Sequence, residues 1–177
     1  LAINRIQNVT VYPLGLSDAN ELLPLTTIEE SSGMASFAQT NDHSSGWTYG
    51  TTVVPVKRAD DVMTGNVKAP LLIKLDVEGY ECLALRGMQE LLKNTQPAVL
   101  VEVEPLLLKR AGSSVSELFE IMGKQGHIPF SVELTPGRIG RRLVLRKLTT
   151  TADKSSNNVA WLRSDGVHWS RLSGVMI

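Results

Sequence analysis

The run Leu71-Leu72-Ile73-Lys74-Leu75-Asp76-Val77-Glu78-Gly79-Tyr80-Glu81 constrains this chain more than any other segment. It opens as an apolar stretch broken by a single Lys, the pattern of a strand buried in a parallel sheet. It closes on two carboxylates and a glycine, and a helical pattern starts at Cys82. In open α/β sheets, ligands occupy the crevice beyond the carboxyl ends of the strands, so Asp76 and Glu78 fall where chemistry is expected. Gly79 allows a sharp turn or a close backbone approach that a Cβ would hinder. A structural reading of the same residues is also open: Asp76 caps the next helix, and Glu81 favours its dipole.

Around this run, strand and helix patterns alternate. Asn8 to Leu16 reads as a strand closed by a Ser17-Asp18 turn. Glu21 to Ile28 and Thr51 to Lys57 are β-prone and bracket a Ser/Gly/Asn-rich loop from Ser31 to Gly50, which suggests an inserted hairpin over residues 19–58. Ala59 to Met63 reads as a helical turn, and Leu71 to Val77 as the central strand. A helix is expected from Cys82 to Lys93, with Leu85, Met88 and Leu92 on its inner face. Pro97 opens a strand ending near Glu104. Ser114-Val115-Ser116-Glu117 is a capping box for a helix to about Gln125, with Val115, Leu118, Phe119 and Met122 inward and Gly126 as C-cap. His127 to Val132 and Asn158 to Arg163 read as strands, the latter antiparallel. Residues 135–155 carry no clear pattern. The whole is an α/β chain with a mostly parallel sheet, in one domain over residues 1–177.

Composition narrows the partners. Lys and Arg together number 18, as do Asp and Glu, so no global field favours nucleic acid or an anionic membrane. No apolar run approaches the roughly 20 residues of a membrane span, and Glu102 and Glu104 interrupt the nearest candidate. A sole cysteine, Cys82, excludes an internal disulfide. Its place on the apolar side of a helix suits a buried, inert thiol, and cytoplasmic location is the expectation.

Ile73-Lys74-Leu75-Asp76-Val77-Glu78-Gly79-Tyr80-Glu81, continued by Leu85-Arg86-Gly87-Met88, closely resembles the "IKxDVEGxE…LRG" signature of the FkbM-type S-adenosylmethionine-dependent methyltransferases. Three flanking segments resemble that family in the same order. They are Val11-Tyr12-Pro13-Leu14-Gly15-Leu16-Ser17-Asp18, Ser32-Gly33-Met34-Ala35-Ser36-Phe37, and Val99-Leu100-Val101-Glu102-Val103-Glu104. The resemblance runs from residue 1 to about residue 132. It implies the class I methyltransferase arrangement, a Rossmann-like sheet with a reversed last strand. It also implies an upstream strand with a glycine-rich turn and a second strand ending in an acid, lying between the Val9 and Leu71 strands. Neither is found in this sequence, which has no G-x-G-x-x-G pattern. The chain is therefore expected to be the C-terminal portion of a longer protein, unable by itself to bind the cofactor, turn over or fold as a stable monomer. The rival reading is a complete chain that has lost cofactor binding and serves as a binding or accessory domain.

The implied activity is O-methylation of a saccharide or secondary-metabolite hydroxyl, with S-adenosylmethionine as cofactor. A hydroxyl must lose its proton as the new bond forms, so a general base is required. Asp76 is the first choice, with Glu78, Glu81 and Glu102 as residues that orient the acceptor or a water. Clustered carboxylates can instead hold a divalent cation, but no His or Cys lies at ligand spacing, and no metal site is expected. The resemblance places Ser17 and Asp18 at the adenine and Asp76 and Gly79 near the cofactor; a plain Ser-Asp turn is the alternative. Lys74 reads as a member of a structural ion pair. His43, Trp47 and Tyr49 are candidates for an acceptor platform, against simple packing on the domain. Arg138, Arg141, Arg142, Arg146 and Lys147 form a basic cluster suited to an acidic acceptor or to plain solvation. Acceptor identity and oligomeric state are not encoded in any recognisable pattern.

Overall fold

The computed structural model describes residues 6–29, 31–38, 47–63, 65, 67, 71–150 and 157–177. The fold is mixed α/β with two sheets. One contains β1 (Gly15–Leu16), β2 (Glu21–Ile28), β3 (Ser31–Ser36) and β4 (Tyr49–Lys57), in the order β1-β4-β2-β3. The other contains β5 (Leu72–Leu75), β6 (Ala98–Glu102), β7 (His127–Pro136), β8 (Arg141–Lys147) and β9 (Asn158–Arg163), in the order β5-β6-β9-β7-β8. The helices are α1 (Ala59–Val62), α2 (Glu81–Arg86), α3 (Gln89–Thr95), α4 (Pro105–Arg110), α5 (Val115–Lys124) and α6 (Val167–Leu172).

β5 and β6 are parallel, with Leu75 opposite Val101. β9 lies between β6 and β7 and runs antiparallel to both. Its side chains alternate with period two, as a strand covered on both faces requires. Val159 and Trp161 join a large core with Val99, Val101, Leu85, Leu92, Leu118 and Met122 under α2, α3 and α5. Leu162 joins Phe130, Leu145 and Ala98 on the opposite face, beneath Trp169 and Leu172 of α6. The Trp161 indole meets Phe119 edge-on at 4.7 Å. Met88, Leu108 and Cys82 are fully enclosed in the first core, the cysteine as an apolar filler. Burying side chains of this size contributes roughly 1.5–3 kcal/mol apiece.

Five sequence expectations need correction. The sheet expected to be mostly parallel is not: among the described residues only β1–β4 and β5–β6 pair in parallel, and the other pairings are antiparallel. The strand expected over Asn8–Leu16 shortens to β1, because only Gly15 and Leu16 find a partner, in parallel with Val56 and Lys57. Val9, Val11 and Tyr12 remain exposed. The helix expected over Cys82–Lys93 splits into α2 and α3. The break falls at Gly87, where the Ser17 carbonyl oxygen presses so close that a Cβ would overlap it, with the Arg58 Cα in tight contact beside it. Asp60 then accepts from the Glu90 and Leu91 amides, at 3.2 and 2.9 Å, and starts α3 afresh. The signature strand is not covered on both sides: β5 is an edge strand, with Leu72 66% exposed and Lys74 also outward. Finally, β7 extends to Pro136 and pairs with β8, which falls inside the patternless 135–155 segment.

Of the expected capping box the Ser114 half forms, while the Glu117 carboxylate pairs with Arg86. The Ser114 hydroxyl accepts from the Glu117 amide at 3.2 Å, and Gly126 takes φ 76° after α5. Among the described residues, no helix is long and apolar enough to cross a membrane.

Candidate active site at the carboxyl ends of β5 and β6

β5 ends at Leu75 and β6 at Glu102, and their register carries Asp76 and Glu102 side by side at the end of the sheet. A small pocket of about 60 Å³ there is lined by Asp76, Glu78, Glu81, Glu102, Glu104 and Leu107. The four catalytic candidates read from the sequence therefore share one wall. Asp76 does not cap α2, whose N-terminus has no side-chain cap. Its carboxylate pairs instead with Lys74, two residues back along the strand. The Lys74 ammonium and a hydrogen bond from Glu102 hold Asp76 below the usual carboxylate range. The same hydrogen bond pushes Glu102 up from its usual value.

Glu81 shapes the loop that presents these groups. Its Oε1 accepts from the Val77 amide at 3.2 Å and the Gly79 amide at 3.3 Å. Those bonds hold a backbone in which Glu78 has φ 50° and Gly79 φ 102°. Left-handed backbone at a non-glycine residue costs energy, and the Glu81 carboxylate helps to retain it. Its second oxygen is buried beside the pocket without a partner. Burial pushes Glu81 up from its usual value, and also Glu78, where the Asp76 and Glu81 charges add to the effect. Glycine is needed at position 79 for a second reason. A Cβ would stand 2.5 Å from the Leu107 carbonyl oxygen, so the close approach is made by α4.

A second layer locks the loop from the side of the other sheet. The Ser36 hydroxyl donates to the Glu78 carbonyl at 2.7 Å, and the Phe37 ring packs on Tyr80 with centroids 5.1 Å apart. Glu104 caps α4 by accepting from the Leu106 amide and also accepts from Asn157 at 2.9 Å. Ser17 is fully buried, and its hydroxyl reaches Asp18 at 3.4 Å. Asp18 in turn lies 3.4 Å from Arg86, which also pairs with Glu117. Ser17 and Asp18 thus sit at the α2–α3 break rather than lining the acidic pocket.

Ser36, Arg86, Gly87 and Glu104 are legible in the sequence only within the segments that resemble the family, and their contacts at this corner are not. The two-residue spacing of Lys74 to Asp76 and of Glu102 to Glu104 was the available signal, since alternate residues share a side of a strand. Of the suggested acceptor platform, His43 lies outside the described residues. Trp47 is exposed, and Tyr49 is half-buried at the start of β4. Among the described residues, no group of three or more His, Cys, Asp or Glu is arranged to hold a metal ion.

The family model described as the methyltransferase FkbM domain matches residues 1–129, which include β1 to β6, the acidic pocket and α5. The chain belongs to the FkbM methyltransferase family. No curated protein and no solved structure matches it. The FkbM match stops near the start of β7, so the β7–β8 hairpin and α6 lie beyond it.

Proposed function

We propose that this chain carries the acceptor side of an S-adenosylmethionine-dependent O-methyltransferase that acts on a hydroxyl of a saccharide or secondary metabolite. The observation that carries this reading is the Lys74-paired Asp76 beside Glu102 in one acidic pocket at the carboxyl end of two adjacent parallel strands. The placement of β9, reversed between β6 and β7, supports a class I methyltransferase sheet.

The fit of the cofactor rests on the donor set. An acidic pocket with an unpartnered buried carboxylate oxygen suits a cationic sulfonium and repels anions. When bound, S-adenosylmethionine supplies a methyl group already activated by positive charge. Asp76 would lie near that charge, and Asp18 would meet the adenine, with the fully buried Ser17 bracing it from behind. Gly79 would contribute through the turn it permits.

The chain's own residues then have separable tasks. Asp76 takes the acceptor's hydroxyl proton as the oxygen–methyl bond forms and the sulfur–methyl bond breaks. Proton removal of this kind contributes about 10²–10⁴-fold to a rate. Lys74 fixes the direction in which the Asp76 carboxylate points. Glu102 lies beside that carboxylate, and it or Glu78 can accept from a neighbouring hydroxyl of a polyol. Glu81 keeps the loop in the shape that brings these groups together, and orientation of reacting groups is most of what a methyl transfer needs.

The reading is tested by transfer of labelled methyl from S-adenosylmethionine to saccharide and polyol acceptors, followed by alkaline treatment of the product. An alkali-stable ether is expected. Label on nitrogen, or as an alkali-labile ester, contradicts O-methylation of a hydroxyl.

A further inference from the structure

We propose that the tip of the β7–β8 hairpin is a docking element for an anionic phospholipid surface. β7 pairs with β9 only as far as Ser131, whereas its pairing with β8 continues to Pro136 and Arg141. The outer part of the hairpin is therefore a two-stranded ribbon that projects from the edge of the sheet. Its turn is closed by the Gly137 amide donating to the Gly140 carbonyl at 2.9 Å, with Gly140 at φ 73°. The turn lifts Ile139 almost completely into solvent, at 97% exposure. Behind it, the cross-strand pair Leu134 and Leu143 is also exposed.

Arg138 and Arg141 flank this apolar tip along the chain, and Arg142 follows one residue farther down β8. Arg142 donates to the Gly174 carbonyl, and among the described residues none of the three joins an ion pair. Arg146, farther down β8, is by contrast tied to Glu133 at 3.2 Å. An isolated aliphatic side chain at the apex of a ribbon, with cations one step behind it, matches the layering of a membrane interface. The apolar group enters the acyl boundary while the guanidiniums meet lipid phosphates. A nucleic acid offers phosphates but no apolar layer for Ile139, and the tip carries no aromatic ring on which a base could stack. The chain's overall charge balance makes such attraction local to the hairpin and sensitive to salt.

The test is co-sedimentation of the purified protein with vesicles of phosphatidylcholine, with and without phosphatidylserine, at low and high salt. Binding is expected only to the phosphatidylserine vesicles and should fall as salt rises. Ile139→Ser should weaken it about ten-fold or more, the loss expected for a buried aliphatic side chain. Arg138→Gln and Arg141→Gln should each weaken it about five-fold, at unchanged melting temperature. Three results would overturn the proposal. They are no binding to the anionic vesicles at low salt, equal binding to both vesicle types, and binding indifferent to Ile139→Ser. Retention on heparin without vesicle binding would also overturn it and mark the arginines as a general polyanion site.

Discussion

Strand β5 borders two regions of opposite character. At its carboxyl end, the loop from Asp76 to Glu81 carries left-handed backbone at Glu78 and Gly79 and is tied down on every side. Glu81 holds it from within, Ser36 and Phe37 hold it from the other sheet, and Leu107 closes on Gly79. Along its outer edge, the same strand faces a groove of about 460 Å³ walled by Tyr12, Leu14, Val62, Met63 and Leu91. Lys74 is the charged residue on that wall, and the wall is otherwise almost wholly apolar. Polar groups and strain are concentrated where they are compensated, as expected of a reactive site. The groove is built of side chains that water contacts poorly, as expected of a surface that pairs with more polypeptide.

The sharpest way to break this contrast is to disturb the packing behind the loop. Gly87→Val places side-chain atoms into the Ser17 carbonyl and the Arg58 backbone, neither of which can rotate away. A loss of about 3 kcal/mol or more is expected, with a matching drop in denaturant midpoint. A control is Gly123→Ala in α5, where an added Cβ meets nothing. It should raise stability by about 0.5–1 kcal/mol.

Glu81→Ala comes next, at about 2–3 kcal/mol, since the Val77 and Gly79 amides lose their acceptor. A pH series adds a signature that a mere packing defect lacks. Burial raises the Glu81 carboxyl above its usual 4.5 in the folded state. The native state therefore binds more protons than the unfolded chain just above that pH, and this group's stabilising share falls as pH rises through the window. The alanine variant should lose that share, and the difference in stability between the two proteins should be largest at the acid end. A difference that does not vary with pH would place the Glu81 effect elsewhere.

The groove predicts the smallest change in stability. Leu72→Lys on the exposed edge should alter unfolding free energy by no more than about 0.5 kcal/mol. Light scattering should nonetheless show less self-association, because a charge on an edge strand discourages pairing. Unchanged association would mean that the β5 edge is not the sticky one.

The sequence made the signature corner legible in outline and its supports illegible. Asp76, Glu78 and Glu102 were readable because strand ends in α/β sheets are where polar residues interrupt apolar runs. Arg86, Gly87 and Ser36 act through contacts distant in the chain, such as Arg86 with Asp18 and Ser36 with Glu78, which no local pattern encodes. The helix over 82–93 has a continuous apolar period, yet tertiary crowding at Gly87 breaks it. Asn8 to Leu14 has strand composition, but a strand forms only where a partner is within reach. β8 went unread because its Arg-rich sequence resembles a solvated loop until Leu145 is seen packed against β7 and the C-terminal helix.

The measurement that bears most directly on the central claim is single-turnover methyl transfer by Asp76→Asn in the intact enzyme, with S-adenosylmethionine affinity measured on the same preparation. Asparagine keeps the shape of the side chain and removes its basicity. The account predicts a rate lower by about 10² or more, with cofactor affinity and melting temperature close to wild type. Transfer at near the wild-type rate would contradict it and leave Asp76 as the structural partner of Lys74.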